Sequence, residues 1–243
     1  MKNGRTLSQL AAELERQQTV KRDFVADTRK LDFAATPTGS QIIVNSEAFP
    51  LTRYAGQQIG EWAGIPSKYF DRMAKDAPTL LEQNVRHWFR EQPAARMVRT
   101  LDGSARAFLS NRYRRIDNFD LAESVLPILA EIPDARVESC DVTATKMHIK
   151  VVAPRIEGEV KPGDVVQGGI AISNSEIGAG ALSVMPLIYR LVCRNGMISA
   201  DYGARRNHLG KGPVIEGEAT EIFTDATLLA DDRALLMKLG DIT

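Results

Sequence analysis

The chain has 243 residues, of which 44% are hydrophobic and 26% are charged, and its acidic and basic side chains balance to a net charge of zero. These values are ordinary for a globular protein and exclude wholesale disorder. The first thirty residues lack a signal-peptide pattern, and no apolar run is long enough to span a bilayer. We therefore expect a cytoplasmic protein that has one sizeable core and no contact with a membrane.

The first predicted element is an amphipathic helix at the N-terminus. Leu7, Leu10, Ala11 and Leu14 recur at helical spacing, and Thr6 is a suitable N-cap. The helical reading extends, with a more polar second half, towards Asp27. We expect residues 1–30 to form an N-terminal helix or arm and residues 31–243 to form a single domain.

A short strand and a run of helices come next. Residues 40–45 read as a strand, and residues 50–93 read as two or three helices interrupted at Gly64-Ile65-Pro66 and at Pro78. The Gly-Ile-Pro break is similar to the turn of a helix-turn-helix motif. The helix after it, however, meets only half of the requirements of a base-reading helix.

Two hairpins follow in the middle of the chain. The first turns at Asp102-Gly103, a pair that readily adopts the positive φ angles of a tight turn. Residues 118–132 then predict a helix with Asn118 as its cap, and a second hairpin turns at Ala144-Thr145.

Two long strands are predicted over residues 165–176 and 181–192, joined across Gly178 and Gly180. Asn195-Gly196 should end the second strand and leave Arg190 and Arg194 at its rim. Residues 220–239 predict a closing acidic helix. These elements predict an α+β fold in which an antiparallel sheet of hairpins is packed by helices.

The sequence does not support cofactor or metal chemistry. Cys140 and Cys193 are far apart and read as buried free thiols, and the three histidines are scattered along the chain. Gly178 and Gly180 suggest a nucleotide-binding loop, but Ser183 replaces its third glycine and a strand replaces its helix. We therefore expect no cofactor, no metal ion and no catalytic residue.

Charge is strongly separated along the chain. Residues 86–115 hold eight arginines against two acids, a net +6, and residues 190–211 hold five basic residues against one acid, a net +4. Residues 214–243 hold seven acids against two basic residues, a net −5. Arginine suits bidentate phosphate contacts and stacking on bases. The two basic blocks therefore predict a polyanionic partner.

Basic residues interleaved with tyrosines are typical of single-strand binding grooves, where cations follow the phosphates and rings stack on bases. The candidate nucleic-acid contacts are Arg99, Arg106, Arg112, Tyr113, Arg114, Arg115, Arg190, Arg194, Tyr202, Arg205, Arg206, His208 and Lys211. The competing interpretation is that these arginines pair with Asp117, with Asp120 or with the acidic C-terminal segment. The nucleic-acid reading requires the two basic blocks to fold side by side.

Three segments together resemble a phage/plasmid-like family, catalogued as domain of unknown function 932. They are RTLDGSARAFLSNRYRRIDNFDL, SNSEIGAGALSVMPLIYRLVCRNGM and RRNHLGK, in this order, and the similarity covers roughly residues 55–239. It marks, without roles, Ser175, Glu176, Gly178, Gly180, Arg190, Cys193, Asn195, Gly196 and His208. The resemblance implies a mobile genetic element, and in outline a fold similar to Rad52-like single-strand annealing proteins, which work as rings or filaments.

The leading hypothesis is a non-enzymatic homo-oligomer that binds single-stranded nucleic acid and assists annealing or recombination. One alternative is a non-catalytic oligomeric interaction protein of a mobile element, in which the basic rim of one subunit meets the acidic helix of another. The other alternative is a magnesium-dependent nuclease, because Pro133-Asp134 and Glu159-Val160-Lys161 match the spelling of such sites.

Overall fold

The computed structural model describes residues 4–190, 195–198 and 204–206, together with the helical positions Ala234 and Met237. The helices are α1 (Leu7–Val20), α2 (Arg53–Trp62), α3 (Ser67–Asp76), α4 (Pro78–Glu91) and α5 (Asn118–Glu131). The strands are β1 (Arg22–Asp27), β2 (Leu31–Thr36), β3 (Gly39–Val44), β4 (Glu47–Pro50), β5 (Ala95–Leu101), β6 (Ser104–Ser110), β7 (Arg136–Val142), β8 (Met147–Glu159), β9 (Val165–Asn174), β10 (Leu182–Arg190), β11 (Asn195–Ile198) and β12 (Ala204–Arg206). Within the described residues the strands form three antiparallel sheets, which confirms the α+β class.

The chain divides into two compact units. Unit 1 comprises Met1–Glu15 and Arg114–Thr243, and unit 2 comprises Arg16–Tyr113. The division falls inside α1 and again a few residues after β6. The expected arrangement of an arm over residues 1–30 and one domain over residues 31–243 stays a prediction.

Unit 2 contains two three-stranded sheets, ordered β1-β5-β6 and β2-β3-β4. Its core is built from apolar residues of these strands and of α2, α3 and α4, with Phe33, Ile59 and Leu81 fully buried. The predicted hairpin is confirmed: β5 and β6 pair, and Asp102 and Gly103 have φ angles of 49° and 73°. Two successive positive φ angles are the geometry of a type I′ turn.

The helix predicted at the N-terminus is shorter than expected. The amide of Gln9 donates to the hydroxyl of Thr6 at 3.2 Å, so the predicted cap is confirmed. The helix ends at Val20, and the residues towards Asp27 form β1, which pairs with β5. Phe24 and Ala26 pack against the unit 2 core, so burial at alternate positions outweighs the weak helical pattern there.

Unit 1 is built around a sheet ordered β11-β10-β9-β8-β7, in which β12 also pairs with β10. On one face, Ile149 and Ile172 pack with Leu10 and Leu14 of α1 and with the apolar side of α5. Successive side chains of a strand point to opposite faces, so the alternate residues of β8, β9 and β10 face away from these helices.

Two local predictions in unit 1 are wrong. Asn195-Gly196 does not form the turn that ends a strand: β10 ends at Arg190, Arg190 pairs with Asn195, and both residues of the Asn-Gly pair lie in β11. The N-cap of α5 is Asp117, and Asn118 is the first helical residue.

The second hairpin is confirmed as β7 and β8. Of the predicted closing helix, only Ala234 and Met237 are among the described residues, and both are helical and exposed. No helix within the described part of the chain combines the length and the hydropathy that a transmembrane segment requires.

Candidate functional site

The segment that follows β9 is a buried polar network. Asn174 donates from Nδ2 to the carbonyl of Ile116 and to Oδ1 of Asn118, both at 2.9 Å. The amide of Asn118 donates to Oε1 of Glu176 at 2.6 Å. The amide of Ala179 donates to the Ser175 hydroxyl at 3.0 Å. Asn118, Asn174, Ser175 and Glu176 are all at least nine-tenths buried.

This network holds the N-terminus of α5. The side chain of Asp117 makes no capping hydrogen bond, and the carboxylate of Glu176 accepts from the first turn instead. An anion at a helix N-terminus is favoured by the unpaired amides and by the helix dipole. Gly178, with a φ of 81°, lets the chain turn after Glu176. Ser175, Glu176 and Gly178, which the family resemblance marks, therefore have a structural explanation.

Three predicted contacts of the first basic block are buried. Arg99 is fully buried, and its Nε donates to Oδ1 of Asp23 at 2.9 Å. Arg106 and Tyr113 are 7% and 6% exposed. A phosphate needs an accessible guanidinium and a base needs an exposed ring face, so burial argues against these three predicted contacts, although the contacts themselves stay a prediction. All three are core residues.

Arg96, in the same block, is also structural. Its guanidinium lies over the rings of Trp62 and Phe108, at 5.5 and 5.6 Å from the ring centroids. Burial lowers the pKa of Arg96. Cation–π stacking is therefore part of the packing of unit 2.

The other predicted arginines whose side chains the structure describes are more accessible. Arg112 and Arg115 are exposed, and Arg114 is half-buried. Arg190 is exposed, but its guanidinium forms an ion pair with the buried carboxylate of Asp164. This contact lowers the pKa of Asp164.

The remaining candidates lie in the second basic block. Arg205 and Arg206 belong to β12, for which the structure describes the backbone only. Arg194, Tyr202, His208 and Lys211 lie outside the described residues, as does Cys193. The side-by-side arrangement of the two basic blocks stays a prediction.

A groove of about 350 Å³ lies on the face of the unit 1 sheet that points away from α1 and α5. Its polar lining consists chiefly of Lys146, His148, Lys150, Ser173 and Ser183. Lys146 is exposed and the other four are half-buried, so a ligand in solution can reach them. We call this surface the basic groove.

Strand register places His148, Ser173 and Ser183 side by side on three neighbouring strands. His148 lies opposite Ser173, and Ser173 lies opposite Ser183. The two serine hydroxyls are 2.9 Å apart and hydrogen-bonded to each other. The backbone of Arg205 in turn lies opposite Ser183. Residues that face each other in an antiparallel ladder lie on the same side of the sheet. His148, Ser173 and Ser183 therefore form a cross-strand set on β8, β9 and β10.

The basic groove has a net positive charge. Among the residues that the structure describes, no carboxylate forms an ion pair with Lys146 or Lys150. Asp141, which lies opposite His148 on β7, forms an ion pair with Arg5. The carboxylate of Asp141, next to His148 on the neighbouring strand, is therefore already paired with Arg5.

The side chain of Lys146 lies against Gly180. A Cβ atom on Gly180 would lie 3.1 Å from Cε of Lys146, which is closer than ordinary van der Waals contact. The absence of a side chain at Gly180 therefore leaves room for the lysine stem.

The sequence prediction missed Lys146, His148 and Lys150 as binding residues. The signal was present as KMHIK, in which basic and apolar residues alternate with the period of a strand. Charge counted over long blocks does not detect two lysines and a histidine among β-branched residues.

The structure gives the nuclease alternative no support. Asp134 forms an ion pair with Arg155 at 2.9 Å, and Glu159 and Lys161 are exposed. In the described part of the chain, no three or more histidine, cysteine, aspartate or glutamate side chains are grouped so that they could hold a metal ion.

Cys140 is a free buried thiol, as predicted. Burial, together with the neighbouring carboxylate of Asp141, raises the pKa of Cys140 to about 11. The reactive thiolate is therefore scarce at neutral pH, and Cys140 is a core residue.

Comparisons with protein-family models, curated proteins and solved structures gave no match. The resemblance to the phage/plasmid-like family therefore stays a prediction.

Proposed function

We propose that this protein binds single-stranded nucleic acid in the basic groove and has no catalytic activity of its own. The observation that carries the proposal is that Lys146, His148 and Lys150 line one groove beside two serine hydroxyls, with no described carboxylate paired to either lysine. Accessible cations with hydroxyl donors are the groups that bind phosphate oxygens.

The second basic block supports the same site. The backbone of Arg205 lies opposite Ser183 and that of Arg206 opposite Leu182, so this block reaches the strand next to the groove. Arg194, His208 and Lys211, which lie outside the described residues, extend the proposed phosphate contacts along the chain. Arg112, Arg114 and Arg115 remain proposed contacts because they are at least partly accessible.

We further propose that the protein acts as a homo-oligomer in annealing or recombination on a phage or plasmid. An antiparallel sheet with helices on one face and a basic groove on the other supports a Rad52-like arrangement. One small groove contributes few phosphate contacts. Repeating it around an oligomer raises the effective concentration of sites along one strand.

The test is binding of a fluorescent poly-dT oligonucleotide, measured by anisotropy at about 50 mM salt. We expect Lys146→Ala combined with Lys150→Ala to weaken binding by more than about tenfold, because two phosphate contacts are lost. The matched control is Lys68→Ala combined with Lys75→Ala, which removes the same charge from exposed positions of α3. A native mass measurement with and without the oligonucleotide reports the number of subunits.

Two results would reject the proposal. The first is the absence of binding at low salt, and the second is an equal loss of affinity in the groove variant and in its control. Salt-sensitive self-association without oligonucleotide binding, lost on removal of residues 220–243, would instead favour the interaction protein. Cleavage of labelled DNA with magnesium that is abolished by Lys161→Ala would favour the nuclease.

A further inference from the structure

The basic side chains of the groove occur at every second residue, at the start of β8. Lys146 immediately precedes this strand, and His148 and Lys150 lie within it. A strand rises about 3.4 Å per residue, so alternate side chains on one face are about 6.8 Å apart. This separation is comparable to that of successive phosphates in an extended nucleic-acid strand. His148 and Lys150, within the strand, therefore have the repeat of a stretched sugar–phosphate backbone, and Lys146 lies two residues before His148, just outside the strand.

We propose that the basic groove recognises the sugar–phosphate backbone of one extended strand and does not read its bases. The backbone runs along β8, and successive phosphates lie at Lys146, His148 and Lys150. This inference rests on the proposed function and adds the ligand's direction, its conformation and the part of it that is bound.

The linear arrangement favours a single strand over a duplex. In a duplex, helical winding turns successive phosphates of one strand away from any flat surface. An extended single strand can place its phosphates along a line. Pairing with β7 and β9 holds residues 147–150 on both sides, and Lys146 directly precedes this paired segment.

The groove lining favours contact with the backbone over contact with bases. Its described lining contains no phenylalanine, tyrosine or tryptophan ring on which a base could stack. Stacking on aromatic rings contributes about 1–3 kcal/mol per base where such rings are present. Without it, affinity comes from phosphate contacts and does not depend on base identity.

The position of β8 also disfavours an acidic peptide as the ligand. Peptides that bind sheets usually add a strand at a free edge, where backbone groups are unpaired. β8 lies between β7 and β9 and has no free edge along residues 147–150. A peptide there would bind through side chains alone, whereas a polynucleotide carries its charge on its backbone.

The first experiment compares an abasic oligonucleotide with an oligo-dT of equal length and equal number of phosphates, using the full chain. We expect their dissociation constants to agree within about threefold, because both present the same phosphates. Tighter binding of oligo-dT by more than about tenfold would overturn the inference, because it would show that bases contribute.

The second experiment measures how the binding constant depends on salt. The slope of log K against log salt changes by about 0.7 for each phosphate contact with a single strand. Lys146→Ala and Lys150→Ala should each flatten the slope by about 0.7. Lys68→Ala is the matched control and should leave the slope unchanged.

Gly180→Ala tests the geometry without changing charge. The added methyl meets the flexible end of Lys146 and displaces it, so we expect weaker binding and an unchanged thermal midpoint. A loss of affinity larger than that of Lys146→Ala would contradict the proposed contact, because the methyl shifts the lysine by only a few tenths of an ångström and leaves its charge in place.

The outcomes separate the two proposals. If no oligonucleotide binds at low salt, the proposed function fails. If the double variant Lys146→Ala and Lys150→Ala loses affinity but oligo-dT binds more than about tenfold more tightly than the abasic strand, the function stands and recognition of the backbone alone is wrong. Displacement of oligo-dT by polyglutamate of equal charge at equal concentration would assign the groove to an acidic peptide.

Discussion

Replacing Glu176 with alanine should destabilise unit 1, because this side chain caps a helix to which it is not adjacent in sequence. Its Oε1 accepts from the amide of Asn118 at 2.6 Å, and the two residues are 58 positions apart. Glu176 is 5% exposed and Asn118 is 3% exposed, so water cannot replace the lost acceptor. The substitution leaves a buried amide without this partner at the N-terminus of α5.

The expected cost is about 2–3 kcal/mol. Removing an N-cap typically costs about 1 kcal/mol, and leaving a buried donor unsatisfied costs about 1–3 kcal/mol. For a chain of this length each kcal/mol lowers the thermal midpoint by about 2–4 °C, so the shift should be about 5–10 °C. Glu176→Gln retains an oxygen acceptor and loses only the charge, so it should cost less than Glu176→Ala.

The assay is thermal and urea unfolding followed by circular dichroism, with Glu123→Ala as the control. Glu123 lies on the same helix but is exposed, and we expect its removal to change stability by less than about 0.5 kcal/mol. A midpoint for Glu176→Ala within about 1 °C of the wild type would refute the argument that Glu176 caps α5.

Three further predictions follow from the described contacts. Arg99→Ala should cost about 3–5 kcal/mol in urea unfolding, because it leaves the largely buried carboxylate of Asp23 without this cation, and a cost below about 1 kcal/mol would contradict it. Hydrogen bonds from Arg29 lower the pKa of Asp27 to about 2, so their contribution to stability is complete above about pH 4 and is lost as the pH falls through 2. Carboxyl NMR should therefore show Asp27 titrating near pH 2, and Arg29→Ala should raise that value only part of the way, because the amide of residue 29 still donates to Asp27. A higher value in the wild type would contradict the contact. Cys140 should resist alkylation at pH 8 in the folded protein and react after unfolding, as read by peptide mass spectrometry, and rapid native labelling would show that it is accessible.

Sequence predicted the local elements of the fold well. The hairpin at Asp102-Gly103 follows from two residues that tolerate positive φ, and the cap at Thr6 follows from the helical pattern after it. Both signals depend on a few neighbouring residues, so they are visible without tertiary contacts. The α+β class follows from the same local patterns.

The candidate site was predicted less well. The basic residues were identified by counting charge, which cannot distinguish a buried ion pair from an accessible cation. Arg99 is neutralised by Asp23, 76 positions away, and Tyr113 is buried. In contrast, Lys146 and Lys150 belong to neither charged block but lie in the groove.

The sequence by itself determined the spacing of residues along each strand and helix, including the alternation that places Lys146, His148 and Lys150 on one side of the chain. Only the tertiary structure decided that α1 and α5 cover the other face of that sheet, and that Glu176 caps a helix 58 positions earlier. The physical reason is that dihedral preferences act between neighbours. Burial and charge pairing, however, depend on which distant segments pack together.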